Sequence, residues 1–217
     1  MNPLFRFGSA IRAACAGAML LCLQGAAASE GAAVNAVWKV QEIYFSYFGL
    51  TTYYSCDGLR DKMRVILSQL GVRDDMVVTE GGCETFSGPS VMPSVRMLIA
   101  HPTEATETAI AAQTQSAERA AWLARMQRGT KKQFSDEPFM AERRQVTLSS
   151  KDRLGGRSDA GDCELLEQVA RYLIPKLGGK VVQDRLGCVP HQGTIRNPSV
   201  AVEVLLPVKA EQGKAIS

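Results

Sequence analysis

Cysteine and histidine are the side chains of this 217-residue chain best suited to covalent or metal chemistry; there are six cysteines and two histidines. Cys15 and Cys22 lie in an apolar leader, whereas Cys56, Cys83, Cys163 and Cys188 lie in the body of the sequence. Cys56 heads the stretch "CDGLRDKMRVILSQLG" and Cys163 heads "CELLEQVARYLIPKLG". Each is an amphipathic segment that ends in glycine. A thiol in the first turn of a helix has its thiolate favoured by free N–H groups and the macrodipole, so it can act as a nucleophile or redox centre. The competing role is a cystine. Asp57 beside Cys56 and Glu164 beside Cys163 disfavour a thiolate, and no Cys-x-x-Cys pair is present, which tips the balance to the cystine.

The remaining candidates are sparse. In "GCVPHQG", Cys188 and His191 are ligand types for a soft metal, but two ligands do not close a site and the other histidine is distant His101. A bridged Cys188 is no thiolate ligand at all. A Ser-His-Asp set built on His191 lacks a Gly-x-Ser-x-Gly elbow. No phosphate loop, dinucleotide fingerprint or zinc motif occurs, so no cofactor, metal or catalytic residue is assigned. Asp57 and Asp61 stand one helical turn apart, as expected of a solvated helix start. Ser55 and Asp162 are suited to cap the two helices. Tyr53 and Tyr54 could line a recognition surface, but packing inside the fold is the favoured role.

The elements that position these residues recur. Leu59, Met63, Ile66, Leu67 and Leu70 follow Cys56 at the same offsets as Leu166, Ala170, Leu173, Ile174 and Leu177 follow Cys163. That is the spacing of one buried helical face. Gly71 and Gly178 then suit a C-cap with positive φ. Valine pairs follow at Val77–Val78 and Val181–Val182, then Cys83 and Cys188. Next come Pro93 and Pro198, each opening "PSV" and leading into alternating runs, Val95/Met97/Ile99 and Val200/Val202/Val204. Period-2 alternation predicts half-buried strands. Leading strands are expected in "EIYFSYFGL" and "RQVTLS".

The expected fold is therefore α+β: two pseudo-repeated β-α-β-β units, residues 38–101 and 142–207, with a helical insertion and linker over 102–141 carrying a helix around Trp122. A strand that doubles back beside each helix returns Cys83 to Cys56 and Cys188 to Cys163, so each unit is expected to be stapled by a local disulfide.

The N-terminus reads as a secretory leader, residues 1–28: Arg6 and Arg12, an uncharged apolar stretch from Ala13 to Leu23, then small residues Ala26 and Ala28 at a cleavage position. Residues 29–37 are expected to be a disordered linker and 208–217 a disordered tail. The chain has 25 basic and 22 acidic residues; without the two leader arginines the balance is 23 to 22. Such a neutral body is no footprint for nucleic acid or a membrane surface, and no later segment reads as a membrane span.

The motifs "FGLTTYYSCDGLRDK", "LGVRDD", "GDCELLEQV" and "CVPHQ" together resemble a family of uncharacterised exported proteobacterial proteins. The likeness runs from about Trp38 to Pro207 outside much of the middle; Glu104 to Ser135 departs from the shorter connection expected there. The resemblance implies a periplasmic or secreted location and carries over no reaction. The sequence thus points to a non-enzymatic binding or structural component whose partner is an envelope protein or a small ligand. The alternative is an exported enzyme with thiol-dependent or hydrolytic chemistry at Cys163 or His191.

Overall fold

A computed structural model of the chain describes residues 32–82, 92–115, 137–150, 161–189, 191 and 197–208. The leader 1–28, Cys83, and the expected Trp122 helix lie outside them. The order is β1 (Val34–Ser46), α1 (Cys56–Gln69), β2 (Val77–Glu80), β3 (Ser94–Glu104), α2 (Glu107–Gln115), β4 (Phe139–Ser149), α3 (Asp162–Gln168), β5 (Lys180–Arg185) and β6 (Ser199–Pro207). The six strands form one antiparallel sheet, ordered β2-β3-β1-β4-β6-β5. The fold is α+β, as expected.

The alternating runs do what their period requires. Val95, Met97 and Ile99 of β3 and Val200, Val202 and Val204 of β6 point to one face of the sheet. There they meet Leu59, Met63, Ile66 and Leu67 of α1, Leu165 and Leu166 of α3, and Val169 and Leu173 of the turn that follows it in one core. Burying a side chain of this size is worth about 1.5–3 kcal/mol. Ser55 caps α1, its hydroxyl accepting from the Gly58 N–H at 3.2 Å. Both helical segments close on glycine in the left-handed region, Gly71 at φ 75° and Gly178 at φ 68°.

Several boundaries differ from expectation. The first strand begins at Val34, inside the segment expected to fray, because Ala36 and Val37 are buried. β4 begins at Phe139 rather than near Arg144, since Ala141 is buried against Ala36 and Leu205. β3 runs on to Glu104 and α2 occupies 107–115, so the start of the expected insertion belongs to the sheet and to a helix ahead of Trp122. The second helical segment is not one regular helix. After Gln168 it widens into a π-turn over Val169–Leu173 and then tightens to a 3₁₀ turn over Pro175–Leu177. Pro175 has no N–H to give and its ring crowds the preceding turn, which breaks the regular ladder there.

β1 and β4 meet only over three residue pairs, Val34 to Ala36 against Ala141 to Phe139. Beyond these pairs the two strands run apart in opposite directions. The sheet is thus two three-stranded halves joined at the starts of their leading strands, and beyond these pairs the halves meet through the shared core and through helices and loops. Among the described residues no helix is long and apolar enough to cross a membrane.

Candidate functional site

The densest polar cluster lies where α3 meets the loop between β1 and α1. The loop carries Tyr47, Phe48, Leu50, Thr51 and Tyr54; α3 supplies Asp162, Glu164 and Gln168. The Glu164 carboxylate is buried and collects four donors. Its Oε2 accepts from the Tyr47 hydroxyl at 3.1 Å and from the N–H groups of Leu50 and Thr51 at 2.9 and 3.2 Å. Its Oε1 accepts from the Thr51 hydroxyl at 2.7 Å. Consecutive backbone N–H groups in a turn form an anion-binding concavity, and here the anion is the chain's own side chain. One turn on, the Gln168 amide donates to the Phe48 carbonyl at 2.8 Å and accepts from the Phe48 N–H at 3.0 Å. It thereby engages that residue as a neighbouring strand would.

Asp162 goes the same way. It is fully buried, and its Oδ1 accepts from the Tyr54 hydroxyl and the Lys62 ammonium, each at 2.7 Å. Lys62 is itself buried on α1 and lies 5.4 Å from the centre of the Tyr54 ring. Asp162 was expected to cap α3; instead Gly161 holds the cap position with no side-chain cap bond, and Asp162 is the first helical residue. Its carboxylate neutralises a lysine 100 residues away in the chain. Gly161 has to be glycine here, because a Cβ would come within 2.6 Å of the Tyr47 hydroxyl and 2.5 Å of Thr52 Cγ2. Tyr47 and Tyr54 rings pack with centroids 4.7 Å apart. Burial raises the Tyr47 phenol well above its ordinary range, and the charge of Glu164 raises it further, so Tyr47 is a permanent donor.

The cysteines flank this joint. Cys163 and Cys188 form a disulfide across 25 residues, with Cα atoms 5.6 Å apart. Cys163 is buried and Cys188 partly so. Cys56 is buried and disulfide-bonded as well; Cys83, its expected partner, is outside the described residues. His191 is exposed, with φ 61°. His101 is buried on β3, where burial and then the charge of Lys39 lower its pKa to about 4. The two histidines are not brought together, and among the described residues no group of three metal-ligating side chains forms. Asp57 and Asp61 face water as expected, Asp61 pairing with Arg60 at 3.0 Å. Of the two tyrosines in question, Tyr54 packs inside while Tyr53 is exposed.

Against the joint runs a groove of about 310 Å³ whose lining includes Phe48, Leu50, Glu164, Gln168, Tyr172 and Cys188. Phe48, Leu50 and Tyr172 are each more than half exposed, at 56, 60 and 51%. Nothing in the sequence marks Tyr47, Glu164 and Lys62 as members of one cluster. The one signal available was that "FGLTTYYS" combines aromatic and hydroxyl residues just ahead of a helix. Comparison with protein-family models, with curated proteins and with solved structures finds no match.

Proposed function

We propose that this chain is a non-enzymatic binding or structural component of the periplasm or the extracellular space. The observation that carries the reading is the joint itself. Its acids, hydroxyls and ammonium, the groups that could do chemistry, are buried and engaged with one another. Glu164 spends its lone pairs on four internal donors and Asp162 on Tyr54 and Lys62. Cys163 is locked in a cystine, which removes the thiolate that a nucleophilic role would need. The exposed apolar side chains around the neighbouring groove are of the kind that contact surfaces use.

The export reading rests on the leader-like first 28 residues and on a disulfide, a bond that persists in oxidising compartments. The partner is an envelope protein or a small ligand. The sheet order, read outward from the β1–β4 joint as leading strand, last strand, middle strand on either side, is what a duplicated β-α-β-β unit related by a two-fold would give. By that symmetry Cys56 pairs with Cys83 as Cys163 pairs with Cys188.

The test is thiol labelling of native protein isolated from the envelope fraction, with the mature mass measured in the same sample. The account expects cleavage after Ala28, no labelling before reduction and four labelled thiols after reduction and unfolding. Labelling of Cys163 in the native protein would instead favour a thiol enzyme.

A further inference from the structure

The two ends of the Cys163–Cys188 bridge are held in different ways. Cys163 is 3% exposed and sits in the core. Cys188 is partly exposed and borders the groove against the joint, whose described lining does not include Cys163. Cys163 lies between Asp162 and Glu164, both tied into the joint, and the next residue, Leu165, donates its N–H to the Gly161 carbonyl at 2.9 Å. Its place is therefore fixed without the bridge. On the other side the anchor is Leu186, buried, whose N–H donates to the Asp184 carboxylate at 2.9 Å. Gly187 follows with φ 51°, a conformation open to glycine, and then comes Cys188. The Leu186 carbonyl oxygen also lies 3.2 Å from Cys163 Sγ. A bridged sulfur has no proton to give that oxygen. A thiol there would donate to it, so a reduced Cys163 has its acceptor in place and is not left as an unsatisfied buried group.

We infer that Cys188 is a thiol-exchange site: a low-molecular-weight thiol attacks the Cys188 sulfur from the groove, and Cys163 is the sulfur that leaves. The bond that forms is a mixed disulfide between the incoming thiol and Cys188, and the bond that breaks is Cys163–Cys188. The incoming thiolate is oxidised into the new bond. The electron pair of the old one goes to the Cys163 sulfur, which takes up a proton and donates it to the Leu186 carbonyl. Exchange requires the thiolate to reach one of the two sulfurs, and of the two cysteines only Cys188 borders the groove. At about 310 Å³ the groove is of the size that holds a small molecule. Glu167 on its wall would repel a thiolate, but Arg171 meets that carboxylate at 3.0 Å. None of the joint's hydrogen bonds runs through the bridge, so exchange opens the staple and leaves the joint in place.

The experiment incubates the native mature protein with reduced glutathione, quenches in acid, alkylates the free thiols and maps the peptides by mass. Glutathione on Cys188 together with alkylated Cys163 is expected in at least about tenfold excess over the reverse species. The rate of its formation should not change with denaturant below the unfolding transition, because the site is open in the folded state. Single variants give an independent reading. The Cys188 thiol of Cys163→Ser should react with an aromatic disulfide reagent at least about a hundredfold faster than the Cys163 thiol of Cys188→Ser, both in native buffer. Should either variant fail to fold, the map of the unaltered protein still decides. Glutathione on Cys163, equal adducts on both cysteines, or exchange that appears only as the protein unfolds overturns the inference. None of these outcomes touches the non-enzymatic reading, which concerns the bridged resting state and keeps its own labelling test.

Discussion

The two cysteine-headed helical segments start alike in sequence and end up in opposite electrostatic surroundings. α1 opens with Ser55 capping its own backbone and with Asp57 and Asp61 turned to water. Asp57 is fully exposed, and the Ser55 side chain, then the Gly58 N–H, lower its pKa. α3 opens with Asp162 and Glu164 buried, uncapped, and reaching into the other half. A local template therefore decides where a helix begins, but not what its first acids do. In α1 they are solubilising; in α3 they tie the halves together beside the shared core, across a sheet in which β1 and β4 share only three residue pairs.

Asp162 should show the largest effect. Asp162→Asn removes the carboxylate charge that the buried Lys62 ammonium meets at 2.7 Å, and should cost about 3–5 kcal/mol in chemical denaturation. Asp57→Asn at the matching place in α1 should stay within about 0.5 kcal/mol. The cystine beside the joint comes next. Replacing Cys163 and Cys188 together by serine should cost about 3.5 kcal/mol, the chain-entropy value for a loop of 25 residues, read as a lowered denaturant midpoint.

A pH series separates the joint from the rest of the core. His101 is neutral in the folded protein because burial, and secondarily Lys39, hold its pKa at about 4, whereas the unfolded chain takes up the proton near the ordinary value of 6.5. Unfolding thus gains a proton over that window, and stability should fall as pH drops from about 6.5 to about 4, by roughly 3 kcal/mol in all. His101→Leu should flatten this part of the curve while leaving the costs at Asp162 in place. Among the changes at the joint the smallest loss is expected at Thr51→Val, which removes one hydroxyl from the Glu164 set and should cost about 1 kcal/mol in a thermal melt.

Sequence revealed what short-range rules govern. The periodicity of α1, the glycine C-caps, the alternation in β3 and β6, and the return of Cys188 to Cys163 all follow from spacings within some 25 residues, and the structure has each of them. The failures share a different physics. Asp162 reads as a cap because capping is a local preference, while its partners Tyr54 and Lys62 lie 108 and 100 residues away. Val34 to Val37 reads as a frayed end because Ala and Asn carry no strand signal; what orders it is pairing with β3 and β4. α2, "ETAIAAQTQ", shows no clear apolar face, so nothing in it announces that Ala109 and Gln113 turn inward. Pro175 was visible, but its result, a π-turn ahead of a 3₁₀ turn, depends on how Leu173 and Ile174 stay buried around the break.

The most direct test of the joint as the device that unites the halves is a double-mutant cycle at Lys62 and Asp162. With Asp162→Asn and Lys62→Met measured singly and together, the double variant should recover much of the loss seen in Asp162→Asn alone, giving a coupling of about 2 kcal/mol or more. Costs that add to within about 0.5 kcal/mol would mean that the two charges do not act on one another, and would contradict the account.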